Sequence, residues 1–338
     1  MIRFPTSIPD ALAAAIELDG DYRAAGSDLQ ERRRHLPILA ERRPLIELRD
    51  VPGLVGITTD ASGAQVGARI GASTTLAAIA EHPALRGLWP GVAEACGVLA
   101  TPQIRAIGTL AGNLMQGPRC WYYRHPDYTC LRKGGDTCYS RKGDHSWHVC
   151  FDYAPCAAPH PSTAAMALLA YAAEVELATA DSPEPVRRSL AEVVEPDGLE
   201  AHELITAVLL GPPLPREQTA YVRIRHREHA EWALIEAMAR LVLADDGTLA
   251  SVVVVAGAIA STPLRLTKVE AELLGHKPEP ARLAAAAVRS GEGASPLTMT
   301  EYKLPLLEVC VLEALEQALA RPMTPAAITP ATTPSGGT

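Results

Sequence analysis

Between residues 115 and 160 the chain changes character. Five of its seven cysteines fall there, with eight of its fifteen aromatic residues: Trp121, Tyr122, Tyr123, Tyr128, Tyr139, Trp147, Phe151 and Tyr153. Such a stretch reads as an insertion folded around something other than a hydrophobic core. Cys120, Cys130, Cys138 and Cys156 are separated by 9, 7 and 17 residues, too far apart for the paired C-x-x-C knuckles of most structural zinc sites. Four thiolates are the usual complement of an iron-sulfur cluster. Arg119, Arg124, Arg132, Lys133, Arg141 and Lys142 stand beside them, and cations favour the thiolate form and offset cluster charge. Gly134-Gly135 lets the backbone turn sharply between the second and third thiols. The pattern leaves open a zinc site, Cys150 as the fourth ligand, histidine ligation by His125, His145, His148 or His160, and plain structural cysteines. Cys96 and Cys310 lie in helical apolar contexts and read as small buried hydrophobes.

The flanking sequence is ordinary by comparison. Helical spacing runs from Ile8 to Leu18, and short strands are expected at Tyr22 to Ala25 and Leu45 to Leu48. Gly56 to Thr58, a turn at Asp60 to Gly63, and Gln65 to Gly71 read as an antiparallel hairpin. Helices follow at Leu76 to Glu81 and Val92 to Val98. Ser162 is placed to cap an Ala-rich helix running to Tyr171. Trp232 to Leu243 and Leu249 to Ile259 form a second hairpin around Asp245-Asp246-Gly247, although the first run also fits a helix. Helices at Lys268 to Leu274, Ala281 to Ser290 and Leu304 to Ala320 complete a last lobe. The expected units are a lobe at 1–55, a second at 56–180 containing the 115–160 loop, an α+β domain at 210–320, and a disordered tail at 321–338 rich in Pro and Thr.

Net charge is -8, which argues against a nucleic-acid binder, because phosphate neutralisation needs a concentrated basic surface. No apolar run approaches the ~20 residues of a membrane span, and the residues after Met1 lack a signal-peptide pattern. The expected location is the cytoplasm, or the periplasm by export attached to a signal-bearing partner. Neither H-E-x-x-H nor G-x-S-x-G occurs, so the hydrolytic motifs are missing.

Two glycine loops offer backbone N–H groups to an anion: Ala24-Ala25-Gly26-Ser27-Asp28-Leu29 and Ile107-Gly108-Thr109-Leu110-Ala111-Gly112-Asn113. Neither is a G-x-G-x-x-G or P-loop motif, and ordinary turns would explain the glycines alone.

In order along the chain, Tyr22 to Leu29, Thr101-Pro102-Gln103-Ile104-Arg105 and Gly108 to Leu114 resemble the two flavin-binding motifs of molybdenum hydroxylase medium subunits, A-G-G-T-D-L and S-x-Q-I-R-N-x-x-T-x-G-G-N. The similarity runs on through Arg119 to Arg124, His160-Pro161-Ser162, Gly257 to Ala260 and Thr262 to Arg265. The resemblance implies the FAD-binding fold of the vanillyl-alcohol oxidase (PCMH) type: an α+β chain with two α/β lobes, a cysteine-rich inserted loop and a C-terminal α+β lobe. It implies FAD contacts from Ala25, Gly26, Ser27, Asp28, Leu29, Thr101, Ile104, Gly108, Thr109, Ala111, Gly112, Asn113 and Thr163. The cysteine loop resembles that of periplasmic-type bacterial aldehyde oxidoreductase flavin subunits, which implies a [4Fe-4S] cluster on Cys120, Cys130, Cys138 and Cys156, with Cys150 not a ligand. The implied role is electron transfer among a molybdopterin-containing large subunit, a [2Fe-2S] small subunit and an acceptor, in a complex oxidising aldehydes or N-heterocycles. A flavin-free scaffold and a zinc-binding interaction protein are the rival readings. Ala25 and Ala111 stand where the motifs have glycine, Ala106 where they have Asn, and Thr163 where an Asp often follows Pro-Ser.

Overall fold

The computed structural model describes residues 1–35, 43–59, 67–227 and 231–324. Three sheets organise them. The first holds β1 (Ile2–Arg3), β2 (Asp21–Arg23) and β3 (Leu45–Glu47), all parallel in the order β1-β3-β2. Its covering helix, Ile8–Leu18, starts where the Ser7 side chain accepts the Asp10 N–H, and ends at Asp19 with φ 45°. Ala11, Leu12, Ala14 and Ala15 are its buried face, against Ile46 and Leu48.

The second sheet is antiparallel, with β4 (Ile57–Thr59), β5 (Ala68–Gly71), β6 (Glu174–Thr179), β7 (Ser182–Ser189) and β8 (Leu204–Leu210) in the order β4-β5-β8-β6-β7. Helices Leu76–Glu81, Pro83–Leu88 and Pro90–Val98 share its core. Helix Thr163–Ala170 is capped by Ser162, as the sequence indicates, and buries every residue except Leu169. That explains its all-round apolar composition, the signature of a helix packed on several sides. It sits between the second lobe and the third sheet.

The third sheet runs β12-β11-β10-β9, from β9 (Glu217–Ile224), β10 (Ile235–Leu243), β11 (Leu249–Gly257) and β12 (Leu264–Arg265). The first run of the second expected hairpin is therefore a strand, antiparallel to both neighbours. Helix Lys303–Ala320 packs across β9 and β10. The turn at 60–63 and residues 325–338 of the expected tail lie outside the described residues. At the start of the expected tail, Thr324 exchanges hydrogen bonds with the Glu217 backbone, and Arg321 pairs with Glu94.

Strands β6 to β9 have no counterpart in the sequence reading. In β8 every residue is buried, and in β9 the first six are. A strand covered on both faces loses the period-2 alternation that announces one.

A buried ion pair within the third sheet also reaches the central helix. Arg240 on β10 donates to Glu217 on β9 (Nη2–Oε2 2.5 Å, Nε–Oε1 3.0 Å), to the Ala170 carbonyl at the end of the central helix, and stacks 3.8 Å from the Tyr171 ring centre. Removing one partner of such a pair strands a buried charge, which costs about 3–5 kcal/mol, whereas replacing both by apolar groups is far milder. Arg240→Met is expected to lower the urea midpoint by a corresponding amount, and Arg240→Met/Glu217→Leu to recover most of it. A double variant as unstable as the single would show that the pair is not the source of the loss.

Candidate functional site

A groove of about 1230 Å³ of empty space, counted to its open mouth, lies where all three lobes meet. The first lobe contributes the turn after β2 and the start of helix Ser27–His35. Gly26 sits there at φ 75°, a left-handed conformation that glycine adopts without strain. The N–H groups of the helix's first turn have no intrahelical partner and carry the positive end of its dipole. Helix Leu110–Leu114, capped by the Thr109 hydroxyl, supplies the facing wall. Pro161 and Thr163 lie beside it, and Arg223, Glu231 and Trp232 come from the third lobe.

Of the residues expected to contact a dinucleotide, Ala25, Gly26, Ser27, Asp28, Leu29, Ile104, Gly108, Thr109, Gly112, Asn113 and Thr163 line this groove. Thr101 and Ala111 do not. Thr101 caps helix Pro102–Ile107 by accepting the Ile104 N–H, and Ala111 packs against the second-lobe core. Arg23, Arg119, Arg223 and Trp232 line the groove without having been marked in the sequence as dinucleotide contacts. Arg23 lies just ahead of the first glycine loop; Arg223 and Trp232, about two hundred residues away in the chain, carry no local signal. The Nε atoms of Arg23 and Arg119 are buried without a hydrogen-bond partner among the described residues, and the Arg119 guanidinium lies 4.1 Å from the Trp232 ring centre.

Two of the lining side chains turn their polar groups inward. The Asp28 carboxylate receives the Gly117 N–H (2.9 Å), Arg32 Nε (2.9 Å) and Arg124 Nη2 (2.7 Å), with Arg119 Nη2 at 3.0 Å. Burial opposes its ionisation, but these donors outweigh burial and hold it below the usual carboxylate range. Thr163 donates its hydroxyl proton to Glu236 Oε2 at 2.8 Å, and the Tyr221 hydroxyl donates to the same oxygen at 2.8 Å. Burial nevertheless pushes the Glu236 carboxyl up.

Next to the groove, Cys120, Cys130, Cys138 and Cys156 line a second, much smaller cavity. The segment wraps it with short pieces: helix Trp121–Arg124 and 3-10 turns at Leu131–Lys133 and Tyr139–Arg141. Gly135 packs so closely on Thr129 that a Cβ would fall on its carbonyl oxygen. Burial raises Cys120, although the N–H groups of Tyr123 and Tyr122 point to its sulfur. A hydrogen bond from Cys156, with the Ala157 N–H and Ser140 hydroxyl, holds Cys138 below the ordinary thiol range. Cys156 also takes the Ala158 N–H and an Arg132 side-chain contact. Lys133 is buried beside Cys130 and Cys120 and donates to the His125 carbonyl (2.6 Å). All seven cysteines are free thiols. Cys150 stands outside the cavity, in the third-lobe core.

Among the described residues no three His, Cys, Asp or Glu side chains converge on one point as a single ion requires. A zinc ion at about 2.3 Å from each sulfur would need the four sulfurs within ~4 Å of one another. No such group of three forms among the described residues.

Residues 11–213 match the family of the FAD binding domain in molybdopterin dehydrogenase, and residues 220–318 match the CO dehydrogenase flavoprotein C-terminal domain. The chain is 33% identical over 227 residues to the aldehyde oxidoreductase FAD-binding subunit PaoB of Escherichia coli, covering 64% of this chain and 67% of that one. It is 35% identical over 119 residues to the carbon monoxide dehydrogenase medium chain of Afipia carboxidovorans, covering 33% and 38%. In fold it resembles a carbon monoxide dehydrogenase structure from Hydrogenophaga pseudoflava (TM-score 0.72, 20% identity, 95% and 97% covered). Quinoline 2-oxidoreductase from Pseudomonas putida 86 is similar (TM-score 0.70, 19% identity, 94% and 96% covered).

Glu236, buried behind Thr163, gives the fold's stability a pH dependence with a definite sign. Because its folded pKa lies above the ordinary 4.5, the native state binds this proton more tightly than the unfolded chain. Its contribution is complete below the ordinary value and is lost as pH rises through the folded one. Glu236→Gln should therefore flatten the decline in stability above pH ~5 relative to wild type. Urea midpoints at pH 5 and pH 8 read this directly, and identical pH slopes in the two proteins would contradict it.

Proposed function

Because the chain belongs to the FAD-binding medium subunits of the molybdenum hydroxylase family, we propose that it serves as the electron-transfer subunit of such a complex, carrying FAD in the three-lobe groove and a [4Fe-4S] cluster on Cys120, Cys130, Cys138 and Cys156. The partners in this reading are a molybdopterin-containing large subunit, a [2Fe-2S] small subunit and an electron acceptor. Substrate oxidation belongs to the large subunit, with aldehydes or N-heterocycles as the substrate class. That class follows the names of the similar aldehyde and quinoline oxidoreductases.

The residues present suit a dinucleotide. FAD's pyrophosphate would be held by the open N–H groups at the start of helix Ser27–His35, with Gly26 allowing close approach and Arg23 and Arg119 offering unpaired buried N–H groups. Thr163 gives its only hydroxyl proton to Glu236, which leaves its oxygen as an acceptor only. Trp232 and Ile104 supply apolar lining. Ala25 keeps the loop open despite its methyl, since the left-handed position that demands glycine is Gly26. Bound there, FAD supplies chemistry that accepts and releases electrons one or two at a time. The chain's own part is to hold it, orient it and fix the charges around it.

The observation that carries the cluster reading is the convergence of four thiols, spread over 37 residues of sequence, on one cavity. Three of them receive backbone N–H groups, the donors that stabilise thiolate sulfur. Lys133 and Arg132 add positive charge beside them. Cys150, shielded in the third-lobe core and raised by burial to about 11, is not part of this set.

Anaerobic co-purification with the two partners, followed by flavin, iron, sulfide and zinc quantitation, tests both assignments. About four iron and four sulfide with one FAD are expected for this subunit beyond its partners' share. Iron without flavin would instead make it a cluster-bearing scaffold, and equimolar zinc without sulfide an interaction protein. Cys130→Ser should remove the iron and leave the FAD.

A further inference from the structure

We infer that His148 donates a hydrogen bond to the Cys120 sulfur and thereby raises the reduction potential of the centre held by the four cysteines. The inference rests on the cluster reading above and adds a side chain that neither spacing nor motif indicates.

His148 Nε2 lies 3.3 Å from Cys120 Sγ. The residue is 3% exposed, and its other ring nitrogen, Nδ1, is buried without any hydrogen-bond partner among the described residues. A ligating thiolate can only accept, so the geometry assigns the proton to Nε2. The opposite tautomer would set a lone pair against the sulfur and leave an N–H orphaned at Nδ1. Orphaned buried N–H groups are rarer than orphaned acceptors because they cost more. The assignment does not depend on the ring's charge, since the doubly protonated ring also carries a proton on Nε2.

The backbone fixes the ring's position from both sides. His148 N–H donates to the His145 carbonyl (3.0 Å) and Val149 N–H to the Ala157 carbonyl (3.0 Å). The Val149 carbonyl accepts the Thr300 hydroxyl at 2.9 Å. His145 is itself clamped: its Nδ1 lies 2.9 Å from the Ser140 and Gly143 carbonyls, and its Nε2 accepts the Met299 N–H at 3.2 Å. The third lobe therefore holds the two histidines, and through them the donor facing Cys120. Among the hydrogen bonds of the described residues, His148 is the histidine that reaches a sulfur of the four.

Reduction adds one electron to a centre whose thiolates are already negative. A donor aimed at a ligand sulfur stabilises the more negative state more strongly, and such contacts set cluster potentials. Removing a backbone donor to Cys120 would need a proline in the short helix Trp121–Arg124, which would disturb the fold around the sulfur. The His148 donor can be removed without one.

The test is an anaerobic potentiometric titration of the purified full chain with dithionite, followed by electron paramagnetic resonance. His148→Leu should lower the one-electron reduction constant about tenfold, a shift of ~59 mV to lower potential. His148→Gln, which retains an N–H donor, should fall between the two. A second measurement guards against a variant that loses its cluster. Reduced wild type grown with 15N-histidine should show a nitrogen coupling that is absent from labelled His148→Gln. A cluster whose constant moves less than twofold in His148→Leu, or a wild type without that coupling, overturns the inference alone. Wild type lacking iron and sulfide overturns the cluster reading and this inference with it.

Discussion

The Asp28 carboxylate is the point on which both candidate sites depend. It stands in the first turn of the helix that borders the groove, yet it binds the Gly117 N–H and three guanidinium groups, two of them from the segment that wraps the cysteine cavity. A carboxylate at a helix start is favourable by dipole alone, by a few tenths to 1 kcal/mol when exposed. Here the larger effect is charge balance. Arg32, Arg119 and Arg124 crowd one half-buried region, and burial together with Arg124 holds Arg119 below its ordinary value. Without Asp28 those cations would repel one another beside a groove that is to receive an anion. With it, their N–H groups are aligned and the cysteine segment is anchored to the first lobe.

That anchoring explains how a segment with so little apolar core keeps one shape. Its own hydrophobic cluster is small, limited to Tyr123, Cys130 and Cys120. Order comes from attachment at its ends and edges. Cys150 and Phe151 both donate N–H groups to the Ile259 carbonyl, His160 donates to Ala260, and Ser295 donates to Cys150. The buried Lys303 ammonium, lowered by burial to about 8, caps the Ala258 carbonyl at 2.9 Å on the same side. Arg141 pairs bidentately with Asp152 and takes the Ala154 and Pro155 carbonyls. Polar bonds of this kind are individually modest in net stability. Collectively they pin the segment to the third lobe, which apolar packing of so few groups would not.

What the sequence revealed follows a physical division. Local devices were legible: the Ser162 cap, the spacing of Ile8 to Leu18, and the turn at Asp245 to Gly247 each act within a few residues. The segregation of thiols and aromatics marked the second cavity, because composition alone departs there from core-forming sequence. Long-range geometry was not legible. Arg223 and Trp232 reach the groove from another lobe, and nothing around them distinguishes them from surface residues. Thr101 and Ala111 lie in the flavin motifs but outside the groove lining, as a cap and as packing. The alternation rule failed for β8 and β9 because both of their faces are covered.

The two sites also share a stretch of backbone. Cys156 borders the small cavity and Thr163 borders the groove, and seven residues of extended chain span at most ~25 Å. Between them the chain is held at every polar step. His160 donates its N–H to Ala260 and accepts the Ser162 N–H on Nδ1 (3.3 Å), while the Ser162 hydroxyl donates to Asn113 Oδ1 (2.7 Å) and caps the buried helix through the Ala165 N–H. Asn113 lines the groove. Displacement of the cysteine at one end would have to stretch these bonds or shift a helix buried on nearly all sides, and a close-packed interior resists such motion. The architecture thus fixes the separation of the two sites by covalent length and buried hydrogen bonds, independently of what either site contains.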